Sequence, residues 1–186
     1  AVLKAEEWLD YYKKGDYKTV ISLLEPLAQD GDRNAQFHLG KMHETGQGVT
    51  KNYKKAALLY QQAADQNLPG AQFHLGRFFE EGKGTKKDIK TAYAYYMHAM
   101  NAGSKIALNY VINAAEKKNI SLAQVYLADA YAFEKPEYWK QDRKKSLDLY
   151  HKAAKQNSID ALDILTGIYA GNDHRFKNIK IDNKRA

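Results

Sequence analysis

The hexapeptide AQFHLG occupies residues 35–40 and recurs without a change at residues 71–76. The same 36-residue offset places the glycines of the segment 46–48 on those of the segment 82–84. Further pairs at this offset are Ala56 and Ala92, Tyr60 and Tyr96, and Ala63 and Ala99. Matches of this kind at one fixed period indicate that the chain is built from an internal repeat.

Each repeat is predicted to contain two helices. The offset aligns Asp16, Asn52 and Asp88, and each of these residues precedes a stretch with helical spacing of apolar residues. Asp and Asn are favoured N-cap residues, because their side-chain oxygens accept a hydrogen bond from an unpaired backbone N–H. The 186 residues include only three prolines and few alternations typical of strands, so the expected fold is all-α.

The repeated glycines have two different explanations. Gly40 and Gly76 fall inside predicted helices, where glycine costs about 1 kcal/mol relative to alanine, so a close approach of the partner helix is expected there. The glycines of segments 46–48 and 82–84 follow the first helix of each repeat. There they are expected to supply the positive φ that ends a helix and turns the chain.

The combined pattern is A-x-x-x-L-G, then G-x-G, then D/N-x-x-K-A-x-x-x-Y-x-x-A, and it resembles the Sel1-like repeat, a relative of the tetratricopeptide repeat. The resemblance implies a right-handed α–α superhelical solenoid of helix pairs in a single array over residues 1–171. The expected parts are a degenerate repeat (1–30), two regular repeats (33–66 and 69–102), an extra helix (105–118), a second degenerate repeat (121–156), a terminal helix (159–171) and a basic tail (172–186).

The later part of the array departs from the pattern. Ala128 stands where the repeat has glycine, and residues 133–141 replace the G-x-G loop. Between Ala71 and its counterpart Ala123 lies room for one more helix, near residues 105–118, followed by a short link at 119–121. This helix is either a shortened repeat or a kink that shapes a binding surface.

In related repeats the first helices line the concave side of the array, so this groove is the expected binding surface. If Ala35 is buried, helical geometry directs the side chains two and six residues later toward this groove. The predicted partner-binding residues are Phe37, Lys41, Glu44, Phe73, Arg77, Glu80, Val125 and Asp129. The alternative for Phe37 and Phe73 is that they pack between adjacent repeats.

Catalytic and metal-binding motifs are not found. The chain has no cysteine, and no G-x-S-x-G, S-x-x-K, Walker or G-x-G-x-x-G motif. His38 and His74 occupy equivalent positions without an evident third ligand, and Glu44, Glu80 and Glu81 are typical of solvated helix ends. No cofactor, no metal and no enzymatic activity are therefore expected.

The formal net charge is +7, and the tail from Asn172 onward contributes part of it. We expect this tail to be frayed. A cluster at Lys140 and 143–145 could suggest nucleic acid, but lysine there also fits an exposed repeat face. Nucleic acid is not the expected partner.

The predicted function is a protein-interaction module or scaffold that binds a protein or peptide partner in its concave groove. The resemblance implies a bacterial envelope or host-interaction protein, with an envelope enzyme as one candidate partner. It implies a periplasmic or secreted location, with the cytoplasm left open, and no apolar run is long enough to span a membrane. The alternatives are a nucleic-acid binder and an enzyme acting on peptidoglycan-related substrates. The family members with such activity resemble a cysteine-rich subgroup, and this chain has no cysteine.

Overall fold

The computed structural model describes residues 7–133 and 140–176, and over these ranges the fold is all-helical. The first six helices are α1 (Glu7–Lys13), α2 (Tyr17–Gln29), α3 (Arg33–Thr45), α4 (Tyr53–Asp65), α5 (Pro69–Glu81) and α6 (Ile89–Asn101). They are followed by α7 (Lys105–Ile112), α8 (Ser121–Ala132), α9 (Arg143–Ala154) and α10 (Ile159–Tyr169). Consecutive helices pack in pairs, which confirms the predicted solenoid of helix pairs.

Three helix starts are fixed by the predicted N-caps. Side-chain oxygens of Asp16, Asn52 and Asp88 accept the backbone N–H three residues later, at 3.1, 3.0 and 3.1 Å. Asp32 and Asp142 do the same at the starts of α3 and α9, at 2.7 and 2.9 Å. Satisfying one otherwise unpaired donor at each start stabilises a helix by about 1 kcal/mol.

The chain forms two compact units, Ala1–Ser104 and Lys105–Ala186. In the first unit, α3 pairs with α4 and α5 with α6, and α1 packs on α2. The first helix of each regular pair ends at a left-handed glycine, Gly46 with φ of 80° and Gly82 with φ of 71°. Both glycines therefore end helices as predicted.

Close helix approach explains the glycines inside α3 and α5. A Cβ on Gly40 would lie 2.8 Å from the Tyr60 ring, and one on Gly76 would lie 2.6 Å from the Tyr96 ring. Both tyrosines are fully buried on the second helix of the same pair. The prediction that a side chain here would clash with the partner helix is confirmed.

The second glycine of each loop seats the loop on the preceding repeat. A Cβ on Gly48 would lie 2.5 Å from the Cβ of Tyr17, and one on Gly84 would overlap the backbone carbonyl of Tyr53. Tyr17 and Tyr53 are the first residues of α2 and α4. Each loop is thus stacked on the second helix of the repeat before it.

In the second unit, α7 continues into a π-helical turn at Asn113–Lys117, and Asn119 reverses the chain with φ of 55°. The side chain of Gln124 is fully buried and donates to the Ala115 carbonyl oxygen at 3.0 Å. This bond joins the turn to α8. Helix α8 then pairs with α9, and α10 packs on α9.

The expectation of a frayed tail is wrong for its first part. Residues His174–Phe176 form a 3-10 turn, and Phe176 is 3% exposed. Residues 177–186 lie outside the described part, as does most of the predicted loop substitute at 133–141. None of the helices within 7–133 and 140–176 combines the length and apolar character that a bilayer crossing requires.

Candidate functional site

Phe37 packs between repeats. Its ring centroid lies 5.8 Å from that of Tyr60 and 5.5 Å from that of His74, which belongs to the next repeat. A Cβ on Gly70 would lie 3.2 Å from the tip of the ring. Of the two placements considered for Phe37, packing between repeats is therefore the one found. Phe73, also half-buried, lies against Tyr96 with a centroid distance of 5.6 Å.

Glu44 of α3 lies at the centre of a hydrogen-bonded group that joins α3 to α4 and α5. The Tyr60 hydroxyl donates to its Oε2 at 2.5 Å, and His74 Nδ1 lies 3.1 Å from the same oxygen. Burial raises the pKa of Glu44, but the hydrogen bonds from His74 and Tyr60 outweigh burial and hold it below its usual range. Burial, together with the bond to Glu44, raises the pKa of Tyr60.

The tyrosine–carboxylate bond is repeated along the chain. Tyr96 donates to Glu80 at 2.6 Å, and Tyr150 donates to Asp129 at 2.6 Å. In each case a buried tyrosine of a second helix reaches a carboxylate of the first helix of its pair. This arrangement gives Glu44, Glu80 and Asp129 a structural role in joining the two helices.

The predicted cations of the groove lie at partly exposed positions. Lys41 Nζ lies 5.8 Å from the centre of the Phe37 ring, and Arg77 Nη2 donates to Glu81 Oε1 at 3.0 Å. Glu81 also pairs with Lys83. Both cations are therefore accessible to solvent.

Val125 is 5% exposed, so its predicted place in an open groove is wrong. Val125 lies two residues after Ala123, the position equivalent to Phe37 and Phe73 in the other repeats. Its smaller side chain is enclosed within the second unit. The third repeat therefore has a different surface from the first two.

Asp129 is occupied by the C-terminal segment. Arg175 Nη1 donates to Asp129 Oδ1 at 2.9 Å, while its Nε donates to Asp173 Oδ1 at 2.9 Å. The same guanidinium lies 5.6 Å from the centre of the Phe133 ring. The bonds to Asp173 are the main cause that raises the pKa of Arg175, and they lower the pKa of Asp173. Asp129 thus accepts hydrogen bonds from both Tyr150 and the C-terminal segment.

A small apolar pocket lies between two first helices, α1 and α3. Its volume is about 200 Å³. The lining residues are Trp8, Leu9, Tyr12, His38, Lys41 and Met42. The Trp8 and His38 rings are 4.3 Å apart, and burial, helped by the nearby Lys41 charge, lowers the pKa of His38 to about 4. The walls are therefore largely apolar, with a neutral imidazole at His38 and one charged group, the ammonium of Lys41.

Sequence reasoning missed the pocket residues of α1, because the degenerate first repeat lacks the motif that marks the other copies. It also missed the tyrosine–carboxylate bonds. A signal for two of them was present, since Glu44 and Tyr60 recur at the repeat offset as Glu80 and Tyr96. Asp129 and Arg175 are 46 residues apart, and no periodicity connects them.

The histidines that were considered as metal ligands do not form a cluster. The ring centroids of His38 and His74 lie 5.3 and 5.5 Å from that of the Phe37 ring. Across the described ranges, no three His, Asp or Glu side chains are grouped to hold a metal ion.

A sequence model of the Sel1 repeat matches residues 33–68, 69–96 and 121–158, which together exceed half of the chain. The chain belongs to the Sel1 repeat family. Proteins of this family are generally protein-interaction scaffolds and typically lack enzymatic activity. The three matched segments begin at the starts of α3, α5 and α8, so each Sel1 repeat is one helix pair.

Solved structures show the same fold. A Sel1 repeat protein from Oxalobacter formigenes is 24% identical with a TM-score of 0.50, over 94% of this Sel1 chain and 96% of that one. The protein c5321, a protective antigen present in uropathogenic Escherichia coli strains, is 24% identical with a TM-score of 0.51. The match covers 87% of this chain and 40% of the antigen, so the chain corresponds to less than half of that protein. No curated protein sequence matches the chain.

Proposed function

We propose that this chain is a protein-interaction module whose first helices receive a peptide segment of a partner protein. The pocket between α1 and α3 carries the proposal. All its lining residues belong to first helices, and its volume of about 200 Å³ suits one apolar side chain. Interfaces gain most of their affinity from a few side chains buried in pockets of this kind.

The pocket chemistry favours a partner segment with an apolar residue beside an acidic one. Trp8, Leu9 and Met42 supply apolar walls, and Leu9 is 37% exposed at the pocket. Lys41 adds a positive charge, while His38 is neutral at physiological pH because its pKa is lowered to about 4. An apolar side chain would enter the pocket, and a neighbouring carboxylate would meet Lys41.

Leu9→Asp tests this pocket. A carboxylate at the pocket should oppose entry of an apolar side chain and lower capture of the partner by about tenfold. Immobilised wild type and variant would be incubated with extract of the native cells, and captured proteins would be quantified by mass spectrometry. Because Leu9 is partly exposed, the melting temperature should change little.

Leu162→Asp is the matched control, since Leu162 is an exposed leucine of α10, at 47%. It should capture the same proteins as the wild type. Equal capture by Leu9→Asp and wild type would place the binding surface elsewhere. Absence of any reproducibly captured protein would contradict the interaction function itself.

The bacterial envelope setting implied by the repeat type, with a periplasmic or secreted location, remains part of this proposal, as does an envelope enzyme as the partner. Fractionation of the native cells with immunodetection of the full-length product checks the location. Recovery in the cytosolic fraction alone would contradict it.

A further inference from the structure

A row of exposed lysines follows the second helices of the first unit. Lys18, Lys54 and Lys90 each lie two residues after the N-cap of their helix, and all three are exposed. Residues 13–18, 51–55 and 81–90, which form the turns on this side and the helix starts that follow them, contain ten lysines, three acidic residues and no arginine. We name this surface the lysine edge.

The lysine edge is continuous within the first unit. Gly48 and Gly84 seat successive loops on Tyr17 and Tyr53, so the turns of neighbouring repeats are stacked on one another. The ammonium groups of Lys51 and Lys83, from successive loops, both lie 5.7 Å from the centre of the Tyr53 ring. Positive charges from different repeats thus converge on one surface.

Ion pairing does not account for Lys18 and Lys54. Helices α2, α4 and α6 have no acidic residue in the first turn, although the helix dipole favours acidic over basic residues there. No ion pair is formed by Lys18 or Lys54 within the described residues. Their helical neighbours at three and four positions away include no acid, and Lys14 adds a like charge near Lys18. Lys18 is attracted to the N-cap Asp16, but beyond that contact these side chains chiefly provide positive potential.

We propose that the lysine edge binds an acidic segment of a protein partner, which extends across at least two repeats. This inference rests on the proposed protein-interaction function and gives it a second contact surface. Lysine ammonium groups on flexible stems suit carboxylates at irregular spacing. Nucleic-acid surfaces more often add arginine forks and accessible aromatic rings, whereas this edge has no arginine and the Tyr53 ring lies beneath two ammonium groups.

The test uses the full chain with Lys18→Glu, Lys54→Glu and Lys90→Glu combined. Binding of a fluorescein-labelled polyglutamate peptide would be measured by fluorescence anisotropy at low and at physiological ionic strength. The wild type should bind with an affinity that falls as salt rises, and the triple variant should bind about tenfold more weakly or not at all. Acidic residues in first turns suit the helix dipole, so the variant should melt no earlier than the wild type.

A second triple variant, Lys105→Glu, Lys152→Glu and Lys155→Glu, controls for net charge, because these exposed lysines belong to the second unit. It should retain most of the affinity. Equal loss in both variants, or no peptide binding by the wild type, would overturn the proposal. Tighter binding of oligothymidylate, or of vesicles of phosphatidylcholine and phosphatidylserine, would overturn it in favour of nucleic acid or membrane.

Capture from cell extract by the lysine-edge variant, which combines Lys18→Glu, Lys54→Glu and Lys90→Glu, separates the two proposals. Loss of capture by the lysine-edge variant supports the edge as a contact surface. Unchanged capture, together with loss by Leu9→Asp, would overturn the edge alone and leave the interaction function in place.

Discussion

The lack of a side chain on one glycine sets the distance between the two helices of each regular repeat. The Tyr60 and Tyr96 rings occupy the space that a Cβ on Gly40 or Gly76 would fill. Because both tyrosines are also hydrogen-bonded to carboxylates of the first helix, their rings cannot move away without losing that bond. The glycine, the tyrosine and the glutamate of each regular repeat therefore fix the packing of its two helices together.

Gly76→Ala is expected to lower the free energy of unfolding by about 1–3 kcal/mol, because the new methyl group would lie 2.6 Å from the Tyr96 ring. Gly167→Ala, inside α10 with nothing within 4 Å, should instead raise it by about 0.5–1 kcal/mol through helix propensity. Urea unfolding followed by circular dichroism measures both. The same sign for both substitutions would contradict this account.

Helices are held to one another by contacts that differ in how visible they are in the sequence. The N-caps and the helix-ending glycines depend on a few neighbouring residues, so their spacing predicts them. The place of the Phe37 ring depends on Gly70 and His74 of the next repeat, and the helical pattern of one repeat could not settle it. Val125 was misplaced because repeat equivalence carries over a position but not its burial.

The C-terminal segment contacts α8 through Arg175, whose side chain is 17% exposed. Asp129→Asn removes one carboxylate partner of this guanidinium and should lower the free energy of unfolding by about 1–3 kcal/mol. Amide hydrogen exchange in residues 172–176 should accelerate at the same time. Asp148→Asn, at an exposed position of α9, should change neither quantity. Unaltered exchange in Asp129→Asn would show that Phe176 alone holds the segment.

At the scale of the whole molecule, stability should depend on pH through His38. Burial lowers its folded pKa to about 4 from an ordinary value of 6.5, so below pH 6.5 the unfolded chain binds more protons than the folded one. The stability that the folded protein has with a neutral His38 is complete above pH 6.5 and is lost as the pH falls toward 4. After allowance for partial solvent screening, the loss should be roughly 1–2 kcal/mol.

Melting curves of wild type and His38→Gln between neutral and acidic pH check this expectation. As the solution is acidified, the wild type should lose more stability than His38→Gln. His98→Gln, at an exposed position of α6, serves as the control. A constant difference between wild type and His38→Gln would contradict a buried, neutral His38.

The seating of Gly48 on Tyr17 and of Gly84 on Tyr53 bears on how a gene for such a chain can change in length. Recombination that adds or removes a whole 36-residue period restores the same loop-on-helix junction at the new boundary. An insertion inside the G-x-G loop would separate it from the preceding repeat. Such genes should therefore gain and lose complete repeats more readily than single residues in this loop.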